Sequence, residues 1–108
     1  MPLQEITEQQ LRQRLHAMQG TEAVLFYTPL CGTCKLAERM LEVIQATSAA
    51  LPLYKLNIHF APELRSEWQI ASVPCLVVLE RQDIRAKVYA LHSVDYIYHL
   101  LKQSSAWE

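Results

Sequence analysis

Short apolar runs alternate with amphipathic stretches along the chain, and this order predicts the series β-α-β-α-β-α-β-β-α. The runs at Ala23–Tyr27 and Cys75–Leu79 are too short for independent helices and predict buried strands. Three further strands are predicted at Leu3–Ile6, Leu53–Ile58 and Ala86–Leu91. Elements in this order form a central mixed β-sheet covered by helices on both faces, so the predicted fold class is a three-layer α/β/α sandwich.

Apolar residues that recur every three or four positions predict the helices, and capping residues indicate where they begin. The four helices are expected after Thr7, from Cys34 to Thr47, from Pro62 to Ile70 and after Ser93. The second helix is expected to bury its apolar residues, namely Leu36, Met40, Leu41 and Ile44. Its charged residues are expected to form a solvated face, namely Lys35, Glu38, Arg39 and Glu42. The end of the chain, Gln103–Glu108, is expected to be a frayed tail.

The composition fits one globular domain. The chain has 108 residues, 51% of them hydrophobic and 19% charged, which allows a single buried core. Its net charge of −1 gives no reason to expect nucleic acid or an anionic membrane surface as a partner. Three cysteines are too few for a disulfide scaffold. Neither a signal peptide nor an apolar run of about 20 residues is visible, so we expect a reducing, cytoplasmic compartment.

Two cysteines stand two residues apart in the segment Cys31-Gly32-Thr33-Cys34, directly after a predicted strand and a turn-prone Thr28-Pro29 pair. Backbone N–H groups in the first turn of a helix have no partner within the helix, and together with the helix dipole they favour a thiolate. Because the thiolate is the nucleophile in disulfide exchange, this position would activate Cys31. A C-x-x-C pair beside a β-α-β pattern therefore indicates a redox-active centre.

Over nearly its whole length the chain resembles the thioredoxin family. The resemblance is carried by Phe26–Lys35, by Lys55–Ile58 and by Ser72-Val73-Pro74, which lies about 40 residues after the second cysteine. It implies the thioredoxin fold for residues 1–108 as a single domain. The implied function is an enzyme, a protein disulfide oxidoreductase, that a thioredoxin reductase or a low-molecular-weight thiol recycles. No metal or other cofactor is expected.

By position, the resemblance implies that Cys31 attacks a substrate disulfide and that Cys34 resolves the mixed disulfide. Pro74 resembles the cis-proline that the family holds beside its active disulfide, where the backbone of Val73 can pair with an extended substrate. The residues expected to bind substrate are Leu30, Gly32, Thr33, Val73, Pro74 and Cys75.

Several positions depart from the pattern of the family. Leu30 stands where the family usually has tryptophan, and Thr33 replaces the proline between the cysteines. Leu25 occupies the position of a buried aspartate, so Lys55, which matches the lysine that faces this acid, is expected to lack a partner. Lys55 could then extend to solvent or depress the pKa of a nearby thiol. These departures leave open an alternative function, a thioredoxin-fold binding or adaptor module with weak redox activity.

Cys75 has three interpretations. It could be a small buried hydrophobe, an extra thiol that intercepts a mixed disulfide, or a third soft metal ligand beside Cys31 and Cys34. A closed zinc site needs four ligands, and nothing in the spacing of His59 and His92 brings them to the cysteines. The buried hydrophobe is the favoured interpretation, and the metal ligand is the least favoured.

Three aromatic residues are candidates for the surroundings of the site. Tyr27, four positions before Cys31, is expected to pack beneath the thiols. Trp68 and Trp107 could face a substrate, but packing is favoured for Trp68 and disorder for Trp107.

Overall fold

The computed structural model describes residues 2–47 and 51–106, and of residues 103–106 only the backbone. Its elements in chain order are β1 (Gln4–Glu5), α1 (Glu8–Ala17), β2 (Thr21–Tyr27), α2 (Gly32–Thr47), β3 (Leu53–Asn57), a short 3₁₀ helix (Ile58–Phe60), α3 (Pro62–Glu67), β4 (Cys75–Glu80), β5 (Asp83–Val88) and α4 (Val94–Ala106). The order of strands and helices confirms the predicted series.

The five strands form one mixed sheet with the spatial order β1-β3-β2-β4-β5. β3 pairs in parallel with both β1 and β2. β4 pairs antiparallel with β2 and with β5. β2 and β4 therefore lie in the interior of the sheet, which agrees with the continuous apolar runs that predicted buried strands.

Each face of the sheet holds one apolar cluster, because successive side chains of a strand point to opposite faces. On one face, Val24 and Phe26 of β2 pack with residues of α1 and α3. On the other face, Ala23 and Leu25 pack with residues of α2 and α4. Burying one large apolar side chain contributes about 1.5–3 kcal/mol. The helices on both faces are therefore held to the sheet by apolar burial, as a three-layer sandwich requires.

Two helices are capped by side chains and a third begins with proline, each at the predicted place. The Thr7 hydroxyl accepts a hydrogen bond from the Gln10 N–H at 3.0 Å, and the Gln10 side chain accepts one from the Thr7 N–H at 2.8 Å. Pro62 is the first residue of α3, where its missing N–H has no consequence. Ser93 Oγ accepts a hydrogen bond from the Tyr96 N–H at 3.1 Å. The predicted starts of these helices are confirmed.

The last strand lies earlier in the chain than the predicted Ala86–Leu91. Arg81 and Gln82 adopt positive φ angles of 51° and 80°, so the hairpin closes within two residues and β5 pairs from Asp83 onward. A two-residue turn in which both residues have the left-handed backbone conformation matches the right-handed twist of the flanking strands, even though neither residue is glycine.

The last helix continues to Ala106, into the segment predicted as a frayed tail. No proline or glycine interrupts that stretch, so nothing in the local sequence ends the helix at residue 102. Trp107 and the first three residues of the predicted connector, 48–50, lie outside the described residues. None of the described helices is both long enough and apolar enough to cross a membrane.

Candidate active site

The register of the sheet brings three chain segments to one end of the molecule. The antiparallel pairing of Phe26 with Cys75 carries the start of β4 to the end of β2. β3 runs parallel to β2 and pairs Asn57 with Tyr27, so the 3₁₀ helix that follows β3 lies at the same end. The Val73–Pro74 peptide bond, directly before β4, is cis. The loop that carries the cysteine pair therefore begins beside this peptide bond.

Cys31 lies at the N-cap of α2 and is disulfide-bonded to Cys34, with 5.1 Å between the two Cα atoms. Its carbonyl accepts the first helical hydrogen bond, from the Lys35 N–H at 3.2 Å. Its Sγ accepts a hydrogen bond from the Cys34 N–H at 3.0 Å and lies 3.3 Å from Thr33 Oγ1. α2 thus begins at Gly32, two residues earlier than predicted, and the sulfur of Cys31 caps it.

The two sulfurs differ in their access to solvent. Cys34 is 2% exposed, whereas Cys31 is partly exposed. The unpaired N–H groups and positive dipole end of α2, with the Thr33 hydroxyl, surround Cys31 with groups that favour negative charge on sulfur. The arrangement offers one partly exposed sulfur, next to groups that would favour a thiolate once the disulfide is reduced, and a second, covered sulfur bonded to the first.

The residues predicted to bind substrate differ in exposure. Leu30, directly before Cys31, is 99% exposed, and Gly32 and Thr33 are exposed as well. Val73 and Pro74 are half-buried. Phe60, on the 3₁₀ helix at the same end of the sheet, is another large exposed apolar side chain. Sequence reasoning did not select Phe60, because its exposure depends on where β3 ends relative to β2.

Cys75 is fully buried and belongs to the cluster that α1 and α3 cover, on the sheet face opposite α2. Burial raises the pKa of its thiol to about 11, although a hydrogen bond to Tyr89 and the charge of Lys87 act in the other direction. The structure supports the interpretation of Cys75 as a buried hydrophobe. Its side chain has no surface for a substrate or an incoming sulfur, so the prediction that it binds substrate is wrong for the side chain.

The metal interpretation gains no support from the described residues. Among them, no group of three or more histidine, cysteine, aspartate or glutamate side chains is placed to hold a metal ion. His59 and His92 line two different clefts, one on either side of the cis-proline segment.

Lys55 has a partner, contrary to the prediction from the sequence. Its Nζ donates a hydrogen bond to Glu38 Oε2 at 2.8 Å and lies 5.3 Å from the centre of the Tyr27 ring. The Tyr27 hydroxyl donates to a carboxylate oxygen of Glu5. Burial, and then the hydrogen bond to Glu5, raise the pKa of Tyr27 well above its usual value. We call Glu5, Tyr27, Glu38 and Lys55 the Lys55 cluster.

The Lys55 cluster corrects two expectations. Leu25, which is in register with Lys55, is fully buried and supplies no charge, so the ammonium group pairs with a carboxylate from α2 instead. Glu38 was expected on the solvated face of α2, but its side chain is only 20% exposed. The signal in the sequence was its position four residues after Cys34, which places both residues on one side of the helix.

Two clefts flank the cis-proline segment. The first has a volume of about 320 Å³ and is lined by Thr33, Leu36, Ala37, Met40, Pro74, Tyr89, Ala90, Leu91 and His92. The second, which we call the Arg65 cleft, has a volume of about 200 Å³ and is lined by Thr28, Ile58, His59, Arg65, Ile70, Ser72 and Val73. Leu36 was expected in the core but is 54% exposed at the first cleft.

Trp68 has a packing role, as the sequence indicated. Its ring meets that of Phe26 edge to face, with 6.1 Å between the centroids, and it packs against the apolar cluster beneath α1 and α3. This edge-to-face contact holds the end of α3 against the sheet beside the site.

Comparisons with known proteins agree with this geometry. The family model described as Thioredoxin matches residues 2–103. The thioredoxin-like protein YusE of Bacillus subtilis (strain 168) is 36% identical over 91 residues, which cover 84% of this chain and 86% of that protein. A thioredoxin of Chlamydia caviae is 26% identical over 86 residues, which cover 80% of this chain and 84% of that protein.

Solved structures of thioredoxins share the fold. A mutant thioredoxin from Halobacterium salinarum NRC-1 has a TM-score of 0.84 at 19% identity, and the superposition covers 96% of this chain and 91% of that protein. Chloroplastic thioredoxin z has a TM-score of 0.85 at 20% identity, and the superposition covers 98% of this chain and 96% of that protein. With the match to the family model and the bonded C-x-x-C pair at the start of α2, these findings show that the chain belongs to the thioredoxin family and is a thiol–disulfide oxidoreductase.

Proposed function

We propose that the chain is an enzyme that reduces protein disulfides, with Cys31 as the attacking thiol and Cys34 as the resolving thiol. The observation that carries this assignment is the unequal placement of the two sulfurs. Cys31 is partly exposed, and its Sγ accepts a hydrogen bond from the Cys34 N–H at 3.0 Å. Cys34 is only 2% exposed. A substrate can therefore reach the first sulfur, and the second sulfur is shielded until the first has reacted.

The proposed reaction begins with the reduced pair. The Cys31 thiolate attacks one sulfur of the substrate disulfide, a bond forms between them, and the other substrate sulfur leaves as a thiolate that takes a proton from solvent. Cys34 then loses its proton and attacks Cys31 Sγ, which releases the first substrate sulfur. Two electrons pass to the substrate, which leaves as a dithiol, and the chain retains a Cys31–Cys34 disulfide.

The substrate contacts that we propose surround the exposed sulfur. Leu30, which is 99% exposed, together with Gly32 and Thr33, forms the surface next to Cys31. An extended substrate can pair with the main chain of Val73, in the way that a strand adds to a sheet edge, because Pro74 has no N–H to compete. Cys75 contributes only through its main chain, since its side chain is buried.

We further propose that residues 1–108 form a single domain that works in the cytoplasm. The match of the family model to residues 2–103 and the two apolar clusters on one shared sheet support the single domain. A reducing compartment supports a pair that must return to the dithiol after each turnover. A thioredoxin reductase or a low-molecular-weight thiol would supply the two electrons.

Reduction of a protein with one accessible disulfide, with dithiothreitol as the electron source, tests this proposal. Cys31→Ser should lower the rate to that of dithiothreitol alone, because the attacking sulfur is lost. In a separate reaction without dithiothreitol, reduced Cys34→Ser should accumulate a mixed disulfide with the substrate. Intact mass spectrometry detects it as an adduct that later addition of dithiothreitol removes. Equal rates for the wild type and Cys31→Ser would reject the proposal and favour the adaptor alternative, since a binding module needs no thiolate.

A further inference from the structure

The Arg65 cleft adjoins both halves of the site. Thr28, which lines the cleft, accepts a hydrogen bond at its carbonyl from the Cys31 N–H at 3.3 Å. Val73, which also lines the cleft, directly precedes Pro74. A chain segment that pairs with the backbone at Val73 and presents a sulfur to Cys31 must therefore pass the opening of this cleft.

The cleft carries the positive charge of Arg65, for which the described part of the chain supplies no acidic partner. Arg65 and His59 are exposed, and within the described residues neither side chain forms an ion pair. The acidic residues of α3 are engaged elsewhere, because Arg12 of α1 lies 3.5 Å from a carboxylate oxygen of Glu63 and 2.5 Å from one of Glu67. The guanidinium of Arg65 is thus available to a carboxylate from outside.

The walls of the cleft suit a carboxylate side chain. Ile58, Ile70 and Val73 form apolar walls, which lower the local dielectric and strengthen an ion pair. Arg65 can bind a carboxylate through two parallel hydrogen bonds, a geometry that lysine cannot provide. The volume of about 200 Å³ is below the roughly 300–1,000 Å³ of a pocket for a whole small molecule. The occupant is therefore one side chain of a larger partner.

We propose that the Arg65 cleft binds an aspartate or glutamate side chain next to the reactive cysteine of a protein substrate. This proposal rests on the proposed function, because it names the class of substrate that Cys31 attacks. Residues of an extended chain are about 3.3 Å apart and alternate in direction. A residue adjacent to the substrate cysteine therefore points away from Cys31, towards one of the flanking clefts.

Three disulfide peptides that differ at one position test the proposal, with glutamate, glutamine or lysine next to the reactive cysteine. For the wild type, kcat/KM should be about five- to tenfold higher for the glutamate peptide than for the lysine peptide. The preference should disappear in Arg65→Gln and reverse in Arg65→Glu, while the glutamine peptide keeps its rate. Added salt should weaken the preference, because the cleft is open to solvent.

Arg39→Glu is the matched control. Arg39 is an exposed cation on α2 that lines neither cleft, and its replacement changes the net charge by the same amount. It should leave the preference within a factor of two. An equal loss of preference in Arg39→Glu, or an unchanged preference in Arg65→Glu, would overturn the inference and leave the oxidoreductase function intact. No reduction of any of the three peptides by the wild type would overturn both.

Discussion

At the scale of single residues, the three cysteines show how the surroundings decide the chemistry of one side chain. Cys31 lies at the helix N-terminus with two hydrogen-bond contacts to its sulfur, and Cys34 is covered one turn further on. Cys75 lies among apolar side chains that raise the pKa of its thiol to about 11. These surroundings support the proposed roles of Cys31 as the attacking thiol and Cys34 as the resolving thiol, and they keep Cys75 protonated at neutral pH.

Cys75 should resist alkylation while the protein is folded. The double variant Cys31→Ser/Cys34→Ser leaves Cys75 as the only thiol, and iodoacetamide at pH 8 should modify it at least about a hundredfold more slowly than in the urea-unfolded chain, because the thiolate fraction falls with the raised pKa. Peptide mass mapping measures the rate. Equal rates in the folded and unfolded chains would show that the thiol is accessible.

The same thiol gives the stability a pH dependence of known sign. The folded-state pKa is raised above the unfolded value, so below about pH 8.5 both states keep the proton and Cys75 has no effect. Between about pH 8.5 and 11 only the unfolded chain loses it, and the free energy of unfolding falls. In the background without Cys31 and Cys34, Cys75→Ala should lose less stability over this range in urea titrations. Parallel curves for the two proteins would contradict the prediction.

Glu38→Gln should destabilise the fold through Lys55. Both side chains of this pair are about one fifth exposed, and removing the carboxylate leaves an ammonium group unpaired within the Lys55 cluster. We expect the free energy of unfolding to fall by about 1–3 kcal/mol. Lys55→Met in the same background should recover part of the loss, because it removes the unpaired charge.

Glu42→Gln serves as the control for Glu38→Gln, since Glu42 lies one turn further along α2 and forms no ion pair with any described residue. Its effect should stay within about 0.5 kcal/mol. Urea unfolding followed by circular dichroism measures all of these variants. If Glu38→Gln and Glu42→Gln had the same effect, the ion pair with Lys55 would not stabilise the protein.

At the scale of elements, the start of α2 combines a structural feature, the helix cap, with the proposed reactive group. The sulfur of Cys31 accepts a hydrogen bond from the Cys34 N–H, so the group that we propose as the attacking thiolate is also the cap of the helix. A negative charge on Cys31 Sγ would therefore lie where unpaired N–H groups and the helix dipole stabilise it. Thr33, between the cysteines, adds a hydroxyl 3.3 Å from the same sulfur.

Thr33→Val should slow the reaction of Cys31 in the reduced protein. Valine keeps the shape of threonine and removes one hydrogen-bond contact to the sulfur, so alkylation of Cys31 at pH 7 should be about two- to tenfold slower. Thr47→Val makes the same change at the other end of α2, where the hydroxyl donates to helix carbonyls, and should leave the rate unchanged. An equal rate for Thr33→Val and the wild type would show that the hydroxyl does not stabilise the thiolate.

At the scale of the whole molecule, the sheet order β1-β3-β2-β4-β5 assembles the site. Because β4 runs against β2, its first residues meet the last residues of β2, and the cis-proline segment lies beside the loop that carries the cysteines. The same pairing builds the Arg65 cleft from three separate segments. They are the loop after β2 with Thr28, the region after β3 from Ile58 to Ile70, and Ser72 and Val73 before β4.

Local pattern was sufficient for the elements and for the cysteine pair. Apolar periodicity, the caps at Thr7 and Ser93 and the helix-starting Pro62 act over a few residues, so they can be recognised in the sequence without knowledge of the fold. The hairpin before β5 was placed less well, because two non-glycine residues with positive φ carry no clear local signal. The resemblance to the thioredoxin family added the expected roles of Val73 and Pro74 in substrate binding, which periodicity alone would not provide.

By itself, the sequence determined the α/β series and the C-x-x-C pair at a helix start, because both depend on short-range backbone chemistry and on the spacing of apolar residues. The thioredoxin fold was implied by the resemblance of its motifs to that family. Only the tertiary structure decided which distant side chains meet. It paired Lys55 with Glu38, placed Cys75 on the sheet face opposite α2 and left Arg65 without an acidic partner among the described residues. Those outcomes follow from strand register and helix packing, which join segments far apart in the chain.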